Sequence, residues 1–423
     1  MYNLRLLQLH TPDVLSAELE KIGTPAALLR DGVAQGTCRA VKLERVPLRL
    51  ARFLFQELSL EGGTVALPPR LASRDRAASE CDVLLLGTRY QLQHLAVRIR
   101  TQSDGELNLL ADDLERALDL FDLPLRGAVK IGSANFQWGA RTYVMGIVNV
   151  TPDSFSGDGI IAQSKDFVDQ AVALAEQMVA DGADILDIGG ESTRPGSQPI
   201  AVDEERQRVI PVIERLRAKV TAPISIDTYK AEIARAALDA GADLVNDVWG
   251  LQMDQEMKRV VAQRGVPVAI MHNRSKPKDA VQTERLGGRY VGVEYGDLMA
   301  DVVRELRAQV ELALDAGIAA DKIIIDPGIG FGKTTEQNLE LLDRLGELRV
   351  LGFPILLGAS RKGFIGFTLD LPVDQRVEGT AVAVALGIER GADIVRVHDV
   401  KQMARVARMT DAVVRNRTAP PKS

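Results

Sequence analysis

The sequence lacks several features that would place it in a special class of protein. Among 423 residues it has only 2 cysteines, Cys38 and Cys81, without a CxxC pair, so neither a disulfide framework nor a zinc site is indicated and buried thiols are expected. No apolar run approaches the roughly 18 residues of a membrane helix, and no basic segment followed by an apolar one opens the chain. We therefore expect no membrane partner and a cytoplasmic location.

Runs of basic residues with interleaved aromatic residues are also missing. The net charge is −6 and aromatic residues make up 4% of the chain, which argues against nucleic acid as a partner. What remains is an ordinary globular composition, with 46% hydrophobic and 26% charged residues, in a chain long enough for about two domains. A small-molecule ligand is expected.

Charge and hydrophobic pattern divide the chain into two predicted domains, residues 1–138 and 139–423. Basic and acidic residues balance in the first, so the net negative charge belongs to the second. Short amphipathic stretches around an apolar strand near 81–86 predict a small α/β or α+β domain at the N-terminus. Its arginines Arg45, Arg49 and Arg52 could face a ligand, although such a group more often forms a solvated helix face. The sequence indicates no role for this domain.

From residue 141 onward, short Val/Ile-rich runs alternate with longer amphipathic helices. Eight such units in about 280 residues, with strands apolar on both faces, predict a (β/α)₈ TIM barrel rather than a doubly wound sheet. A long polar stretch at 275–296 predicts a mobile loop. The expected strands are 143–150, 185–189, 224–227, 244–247, 268–271, 323–326, 355–358 and 394–398.

Polar residues follow nearly every one of these strands, at the barrel edge where active sites lie. Asp227, Asn246 and Asp326 end the third, fourth and sixth strands and are expected to point into the barrel mouth. Two carboxylates and an amide suit a flat, nitrogen-rich heterocycle, because a guanidine-like edge pairs bidentately with a carboxylate. A pair of catalytic carboxylates is the alternative interpretation.

Positive groups gather after the last two strands, where this fold commonly binds phosphate. Arg361, Lys362, Arg396 and His398 lie there and predict an anionic substrate.

A magnesium site is expected after the first strand. Asn149 and Asp153 could share Mg²⁺ with a leaving oxyanion, since this cation takes few protein ligands together with phosphate oxygens and water. No transition-metal site is indicated, because His272 and His398 lack carboxylate or cysteine partners at ligand spacing.

Seven motifs, in order along roughly residues 141–415, resemble those of the dihydropteroate synthase family. Together they are far more specific than any one of them alone. The motifs are 149–156 (NVTPDSFS), 189–196 (GGESTRPG), 225–228 (SIDT), 246–247 (ND), 326–333 (DPGIGFGK), 360–362 (SRK) and 396–399 (RVHD).

The resemblance implies a reaction. The family joins 6-hydroxymethyl-7,8-dihydropterin pyrophosphate to p-aminobenzoate, releases pyrophosphate and is the sulfonamide target. The resemblance implies that the C–O bond breaks before the amine attacks, so that a carbocation-like pterin forms next to Asp227. It also implies Mg²⁺ as cofactor and a homodimer formed through barrel helices.

The resemblance also implies roles for individual residues. Asp227, Asn246, Asp326 and Lys362 should bind the pterin, with Met271 against its ring. The remaining predicted roles fall into two sets: Asn149, Arg396 and His398 for pyrophosphate, with Mg²⁺ at Asn149 and Asp153, and Thr193, Arg194, Phe331, Ser360 and Arg361 for p-aminobenzoate. Asp227, Lys362, Arg396 and His398 are the expected catalytic residues.

Two other functions stay open at this point. One is a pterin-binding paralogue without catalysis, against which the presence of Asp227, Lys362, Arg396 and His398 argues. The other is pterin-dependent methyl transfer, which needs neither the loop at 149–155 nor an anion pocket. The N-terminal domain is an addition to the family pattern, and its simplest interpretation is a structural or oligomerising appendage.

Overall fold

The computed structural model describes residues 12–68, 79–102, 105–122, 127–150, 166–193, 197–276, 279–283 and 285–415, together with residues 5, 7 and 125. These residues form two compact units, the first ending at Asp122 and the second extending from Leu125 to Arg415. No helix within the described ranges is long and apolar enough to cross a membrane.

The first unit is an α+β fold built on a three-stranded antiparallel sheet in the order β1-β3-β2. Leucines at helical spacing, such as Leu54 and Leu58 or Leu92 and Leu95, pack on the buried Val83 and Leu85 of the central strand. Its elements are α1 (Pro12–Lys21), α2 (Ala26–Gly36), β1 (Cys38–Pro47), α3 (Leu48–Leu60), β2 (Thr64–Ala66), β3 (Glu80–Thr88), α4 (Arg89–Arg100) and α5 (Gly105–Asp122).

Strand alternation explains one wrong prediction in this unit. Cys38 is exposed rather than buried, and Cys81 is half-buried; both are free thiols. Cys38 opens β1 at a position whose side chain points away from the helices, because alternate residues of a strand face opposite sides. Arg45, Arg49 and Arg52 are exposed, in agreement with a solvated face.

An antiparallel hairpin, β4 (Ala128–Ile131) and β5 (Ala134–Gln137), begins the second unit. Val129, Ile131 and Phe136 are buried against the first inward-facing residues of the barrel strands, among them Met145 and Ile185. The hairpin therefore closes the amino-terminal end of the barrel. It places the division between the units before residue 125, earlier than the predicted boundary at 138, because short amphipathic strands do not reveal which core they join.

Eight parallel strands form the barrel. A bridge between Ile325 and Ile355 joins the last pair of neighbours and closes it. The prediction of a TIM barrel is thus confirmed, with every expected strand present. In the order in which they pair, they are β13 (Ile323–Asp326), β10 (Val268–Met271), β9 (Leu244–Asp247), β8 (Ile224–Asp227), β7 (Ile185–Gly189), β6 (Tyr143–Asn149), β15 (Ile394–Val397) and β14 (Leu356–Leu357).

Amphipathic helices surround the strands and bury one apolar face each, as Val209, Val212, Ile213 and Leu216 do in one of them. The helices are α6 (Asp166–Asp181), α7 (Val202–Arg217), α8 (Ala231–Asp239), α9 (Met257–Arg264), α10 (Leu298–Asp315), α11 (Thr335–Asp343), α12 (Gly363–Leu369), α13 (Val377–Glu389) and α14 (Val400–Val414).

A second hairpin replaces the mobile loop predicted at 275–296. Its strands, β11 (Ala280–Thr283) and β12 (Gly287–Tyr290), pair antiparallel. Arg289 stacks on the ring of Phe367 in α12, with its guanidinium carbon 4.6 Å from the ring centroid. The prediction was wrong because these strands are short and polar, and their order comes from packing on α12 rather than from a hydrophobic pattern.

Candidate active site

Side chains that point into the barrel form two layers. The lower layer is apolar and packs on the β4–β5 hairpin; Ile185, Leu244, Ala269, Ile324 and Ile394 belong to it. A residue two positions further along a strand points the same way, so the next layer faces the open, carboxyl end of the barrel. That layer consists of Asp187, Asn246, Met271, Asp326 and Arg396.

Arg396 lies at the centre of this polar layer between two carboxylates. Its Nε donates to Asp187 Oδ2 and its Nη2 to Asp227 Oδ2, both at 2.5 Å. Asn246 Nδ2 donates to the same Asp187 oxygen at 3.1 Å. Such buried ion pairs are retained only with good geometry and additional hydrogen bonds. The cluster thus links the second, third, fourth and eighth strands.

The other oxygen of each carboxylate is unsatisfied. Oδ1 of Asp187 and Oδ1 of Asp227 are buried, and neither has a hydrogen-bond partner among the described residues. A buried acceptor without a donor is costly, by about 1–3 kcal/mol. These two atoms indicate that a ligand with N–H groups completes the cluster.

Burial controls the protonation of the carboxyls. It raises the pKa of Asp227 to about 7, with repulsion from Asp187 and Glu205 adding to the rise and the Arg396 charge opposing it. The pKa of Asp326 is also raised by burial, against the hydrogen bond from the Gly328 amide. Both groups therefore titrate closer to neutral pH than ordinary aspartates do.

Asp326 begins the turn at 326–333. Its Oδ1 accepts from the Gly328 amide at 2.7 Å. Only glycine fits at position 328, because φ is +70° and a Cβ there would overlap the His272 carbonyl oxygen. The buried Lys333 closes the turn by donating to the carbonyls of Gly328 at 3.0 Å and Phe331 at 3.1 Å.

Lys333 also reaches His272, which sequence spacing had left without a carboxylate partner. Lys333 Nζ lies 2.9 Å from His272 Nδ1, and His272 Nε2 lies 3.0 Å from Glu305. Burial lowers the pKa of His272 to about 4 and that of Lys333 to about 7. With Nδ1 accepting, Nε2 carries the proton and donates to Glu305. This network fixes the turn from below and belongs to the scaffold of the site.

An apolar wall stands beside the polar layer. Met271 and Phe331 pack with Val248 in a small cluster that Tyr229 and Trp249 border. Lys362 Nζ lies 3.8 Å from the centroid of the Phe331 ring, within the range of a cation–π contact. A flat ring bound by the carboxylates would have this wall to lie against.

The residues after the seventh and eighth strands are paired with one another. His398 donates its amide to Ser360 Oγ at 3.2 Å, and its Nδ1 lies 3.0 Å from the same oxygen. Arg361 binds Asp399 with two nitrogens, one of them 2.9 Å from Oδ2. Of the positive groups predicted for anion binding, Arg361 and His398 therefore lie at this edge, with Arg361 partly neutralised by Asp399, whereas Arg396 lies between two carboxylates in the polar layer.

Asn149 ends the first barrel strand, and Thr193 follows the second. Asn149 is opposite Gly189 in the sheet, and both Asn149 and Thr193 are half-buried. Lys230 anchors the loop that carries Thr193, because its Nζ donates to Glu191 at 2.6 Å and to Glu205 at 2.7 Å.

Asp153 and Arg194, predicted for Mg²⁺ and p-aminobenzoate, lie outside the described residues. Within the described ranges, no group of three His, Cys, Asp or Glu side chains is arranged to hold a metal ion.

The sequence did not identify Asp187 as a site residue. It predicted Arg396 as an anion-binding group, without the hydrogen bonds that Arg396 makes to Asp187 and Asp227. Asp187 is fully buried, in the middle of β7 rather than at its end. An acidic residue between Leu186 and Ile188 was the available signal, since a charge is rarely buried without a partner.

Comparison with known proteins bears on the whole site. Residues 145–398 match the family described as pterin binding enzymes. The dihydropteroate synthase of Clostridium beijerinckii is 47% identical over 288 residues, which are 68% of this chain and 100% of that protein. A crystal structure of Clostridium difficile dihydropteroate synthase in the presence of pteroic acid is 48% identical with a TM-score of 0.60, and the match covers 66% of this chain and 99% of that chain.

The match to a third relative extends into the first unit. The "Probable bifunctional folylpolyglutamate synthase/dihydropteroate synthase" of Halobacterium salinarum is 40% identical over 89% of this chain and 43% of its own length. That match is longer than the barrel unit, so it extends into the N-terminal one. The barrel, the motifs at its carboxyl edge and these matches lead to one conclusion: the chain belongs to the dihydropteroate synthase family, transferases of folate biosynthesis.

Proposed function

We propose that the chain condenses 6-hydroxymethyl-7,8-dihydropterin pyrophosphate with p-aminobenzoate to give 7,8-dihydropteroate and pyrophosphate. The observation that carries this proposal is the set of polar side chains near Arg396: Asp187, Asn246 and Asp326 are buried, and the side chain of Asp227 is 10% exposed. A 2-aminopyrimidinone edge has adjacent N–H donors, which pair bidentately with a carboxylate. Asp326 can accept both donors of that edge, and the unsatisfied Oδ1 atoms of Asp187 and Asp227 can each accept one further N–H group of the ring.

The pterin ring then lies between the carboxylates and the apolar wall. Asp227, Asn246 and Asp326 take its hydrogen-bonding edge, Met271 packs on its face, and Lys362 lies above Phe331. This position directs the exocyclic methylene of the pterin toward the open end of the barrel. The bond that must break therefore lies near the positive groups after the last two strands.

Bond cleavage separates charge, and the site has a group for each sign. As the C–O bond breaks, its electron pair leaves with pyrophosphate and positive charge develops on the pterin methylene. Ionised Asp227 stabilises that cation, while Asn149, His398, Lys362 and Arg396 stabilise the departing anion. The p-aminobenzoate nitrogen then bonds to the methylene and gives up a proton to solvent or pyrophosphate. Thr193, Arg194, Phe331, Ser360 and Arg361 are proposed to hold this second substrate.

Mg²⁺ is proposed at the mouth of the barrel, on the pyrophosphate. The side-chain oxygen of Asn149 suits a cation that prefers oxygen ligands and commonly takes one or two protein groups together with phosphate oxygens and water. Asp153 is the second proposed ligand. When bound, Mg²⁺ would neutralise charge on the leaving group.

The proposal is tested by pyrophosphate release from the purified full chain, given the pterin pyrophosphate and Mg²⁺, with and without p-aminobenzoate. Release that requires p-aminobenzoate, yields dihydropteroate and is blocked by a sulfonamide supports the synthase. Tight binding of the pterin pyrophosphate without turnover would instead identify a pterin-binding protein without this activity.

Pterin binding should strengthen as pH rises through about 7. The ligand pairs best with ionised Asp227, whose pKa is raised by burial to about 7, so protonation below that value competes with binding. Affinity at pH 6 should be about tenfold weaker than at pH 8, since each pH unit below the pKa costs about tenfold. The measurement is calorimetric titration with a dihydropterin that lacks phosphate groups. A pH-independent affinity would contradict this role for Asp227.

We also propose a homodimer through α13 and α14. The side chains of Val382, Leu386, Met409 and Val413 on these neighbouring helices are exposed by 40% to 67%, and clustered exposed apolar residues are typical of interfaces. Val382→Glu should reduce the mass in solution from dimer to monomer, measured by light scattering. Met253→Glu is the control, because Met253 is equally exposed, at 59%, but lies after β9. A dimer that survives the Val382 change would rule out this face.

A further inference from the structure

We propose that Arg376 is a positioning residue that fixes the loop carrying Ser360, Arg361 and Lys362. Arg376 follows a short 3₁₀ turn and precedes α13, and it is 3% exposed. Arg376 lies outside the family motifs and is not one of the polar residues that directly follow the strands. This inference rests on the proposed function, since it concerns how the same site is held in shape.

The guanidinium of Arg376 donates to main-chain carbonyls of three separate segments. Nη1 reaches Arg361 at 3.0 Å and Lys362 at 3.3 Å. Nε reaches Leu371, after α12, at 3.0 Å, and Nη2 reaches Leu286, in the β11–β12 hairpin, at 2.9 Å. A planar group with five donors in fixed directions can join three segments in this way, and a lysine ammonium cannot.

The neighbouring helix is shaped to receive this guanidinium. Gly366 is buried in α12, and a Cβ built there would overlap Arg376 Nη2 and the guanidinium carbon. Because four carbonyls hold the guanidinium, it cannot swing away without losing hydrogen bonds. Position 366 must therefore be glycine for Arg376 to keep its place.

The loop that Arg376 holds is under backbone strain. Arg361 has φ of +55°, in the left-handed region that costs a non-glycine residue about 1 kcal/mol or more. Its amide donates to Thr380 Oγ1 at 3.1 Å, and its side chain binds Asp399. Arg376 donates to the carbonyl of Arg361. The conformation of Arg361 is therefore fixed by hydrogen bonds at its amide, its side chain and its carbonyl.

A consequence is that the β11–β12 hairpin is coupled to the p-aminobenzoate side of the site. The carbonyl of Leu286 and the carbonyls of Arg361 and Lys362 share one guanidinium. Of the proposed pterin ligands, Lys362 lies on this loop, whereas Asp227, Asn246 and Asp326 lie on other strands and hydrogen-bond to Arg396, Asp187 and the Gly328 amide. Loss of Arg376 should therefore disturb p-aminobenzoate more than the pterin.

The test compares Arg376→Lys and Gly366→Ala with the control Arg285→Lys. Arg285 belongs to the same hairpin but is exposed and pairs with the exposed Asp370. Both test variants should raise KM for p-aminobenzoate and lower kcat/KM by about 10- to 100-fold, since an ångström-scale displacement can cost 10²-fold. The dissociation constant of a dihydropterin should change by less than about threefold, within the range of a minor contact.

Chemical rescue distinguishes positioning from a general loss of structure. Arg376→Ala should recover part of its kcat/KM on addition of guanidinium at concentrations far below those that unfold proteins, and an equal concentration of KCl should have no effect. Melting temperatures show whether each variant is folded. Failure to rescue, or equal losses for both substrates, would show that Arg376 only stabilises the fold.

The outcomes separate this inference from the proposed function. A wild-type chain that makes no dihydropteroate would refute the function. A fully active wild type with Arg376→Lys and Gly366→Ala as active as Arg285→Lys would refute the role of Arg376 alone.

Discussion

Replacement of Asp227 by asparagine is expected to lower kcat by about 10²- to 10³-fold, the size of effect seen when one preorganised electrostatic contact is lost. Asparagine keeps the volume and an oxygen that can accept from Arg396 Nη2, now 2.5 Å from Asp227 Oδ2. It cannot carry the negative charge that stabilises a cationic pterin methylene. Pterin affinity should fall much less than turnover, because Asn246 and Asp326 remain.

The measurement is a single-turnover rate at saturating substrates, together with a direct titration of the dihydropterin. Asp184→Asn is the control: Asp184 is also paired with an arginine, Arg141 at 2.6 Å, but it lies before β7, at the other end of the barrel. A loss of affinity as large as the loss of rate would show that Asp227 only binds the ring. Wild-type turnover in Asp227→Asn would remove the cation from the mechanism.

The barrel, and the place of the polar residues at its carboxyl edge, could be predicted because their signals are local. Each strand is a short apolar run, and parallel strands place their carboxyl ends at one edge whatever the details of packing. Asp227, Asn246 and Asp326 end their strands, so order along the chain was enough to bring them together. In the structure Asn246 and Asp326 belong to the polar layer, and Asp227 accepts a hydrogen bond from Arg396 of that layer.

Pairing across the barrel could not be predicted, since it depends on which strands face each other. Asp187 and Arg396 are separated by 209 positions and meet only because both point inward at the same height. The link from Lys333 through His272 to Glu305 was equally hidden, because it joins a turn, a strand end and a helix that are distant in the sequence. A pattern of hydrophobicity along one strand contains no information on such contacts.

Two short hairpins escaped prediction for a related reason. β4–β5 and β11–β12 have strands of four residues each, too short for a clear alternation. Packing on a neighbouring surface stabilises each hairpin: β4–β5 packs on the apolar layer at the amino-terminal end of the barrel, and β11–β12 packs on α12. The second hairpin then takes part in the site through Leu286 and Arg376.

Arg396→Met is the second change with a large expected effect, and here the effect is on stability. Asp187 and Asp227 are both buried, with their Oδ2 atoms on the same guanidinium. Removing one partner of a buried ion pair costs about 3–5 kcal/mol, because the remaining charge is uncompensated. The free energy of unfolding, from urea titration at pH 8, should fall by about that amount.

The loss in Arg396→Met should shrink as pH is lowered from 8 to 6. Burial already raises the pKa of Asp227 to about 7 in the presence of Arg396, which opposes the rise; without the arginine the pKa is higher still. A raised pKa means that the folded state gains stability by binding a proton, and that this gain is lost as pH rises through the folded pKa.

Adding Asp187→Asn should restore part of the stability at pH 8, since one of the two like charges disappears. The exposed pair of Arg344 with Glu340 provides the control, where Arg344→Met should cost no more than about 1 kcal/mol at either pH. A loss of equal size at both pH values would show that Arg396 contributes packing rather than charge to the centre of the barrel.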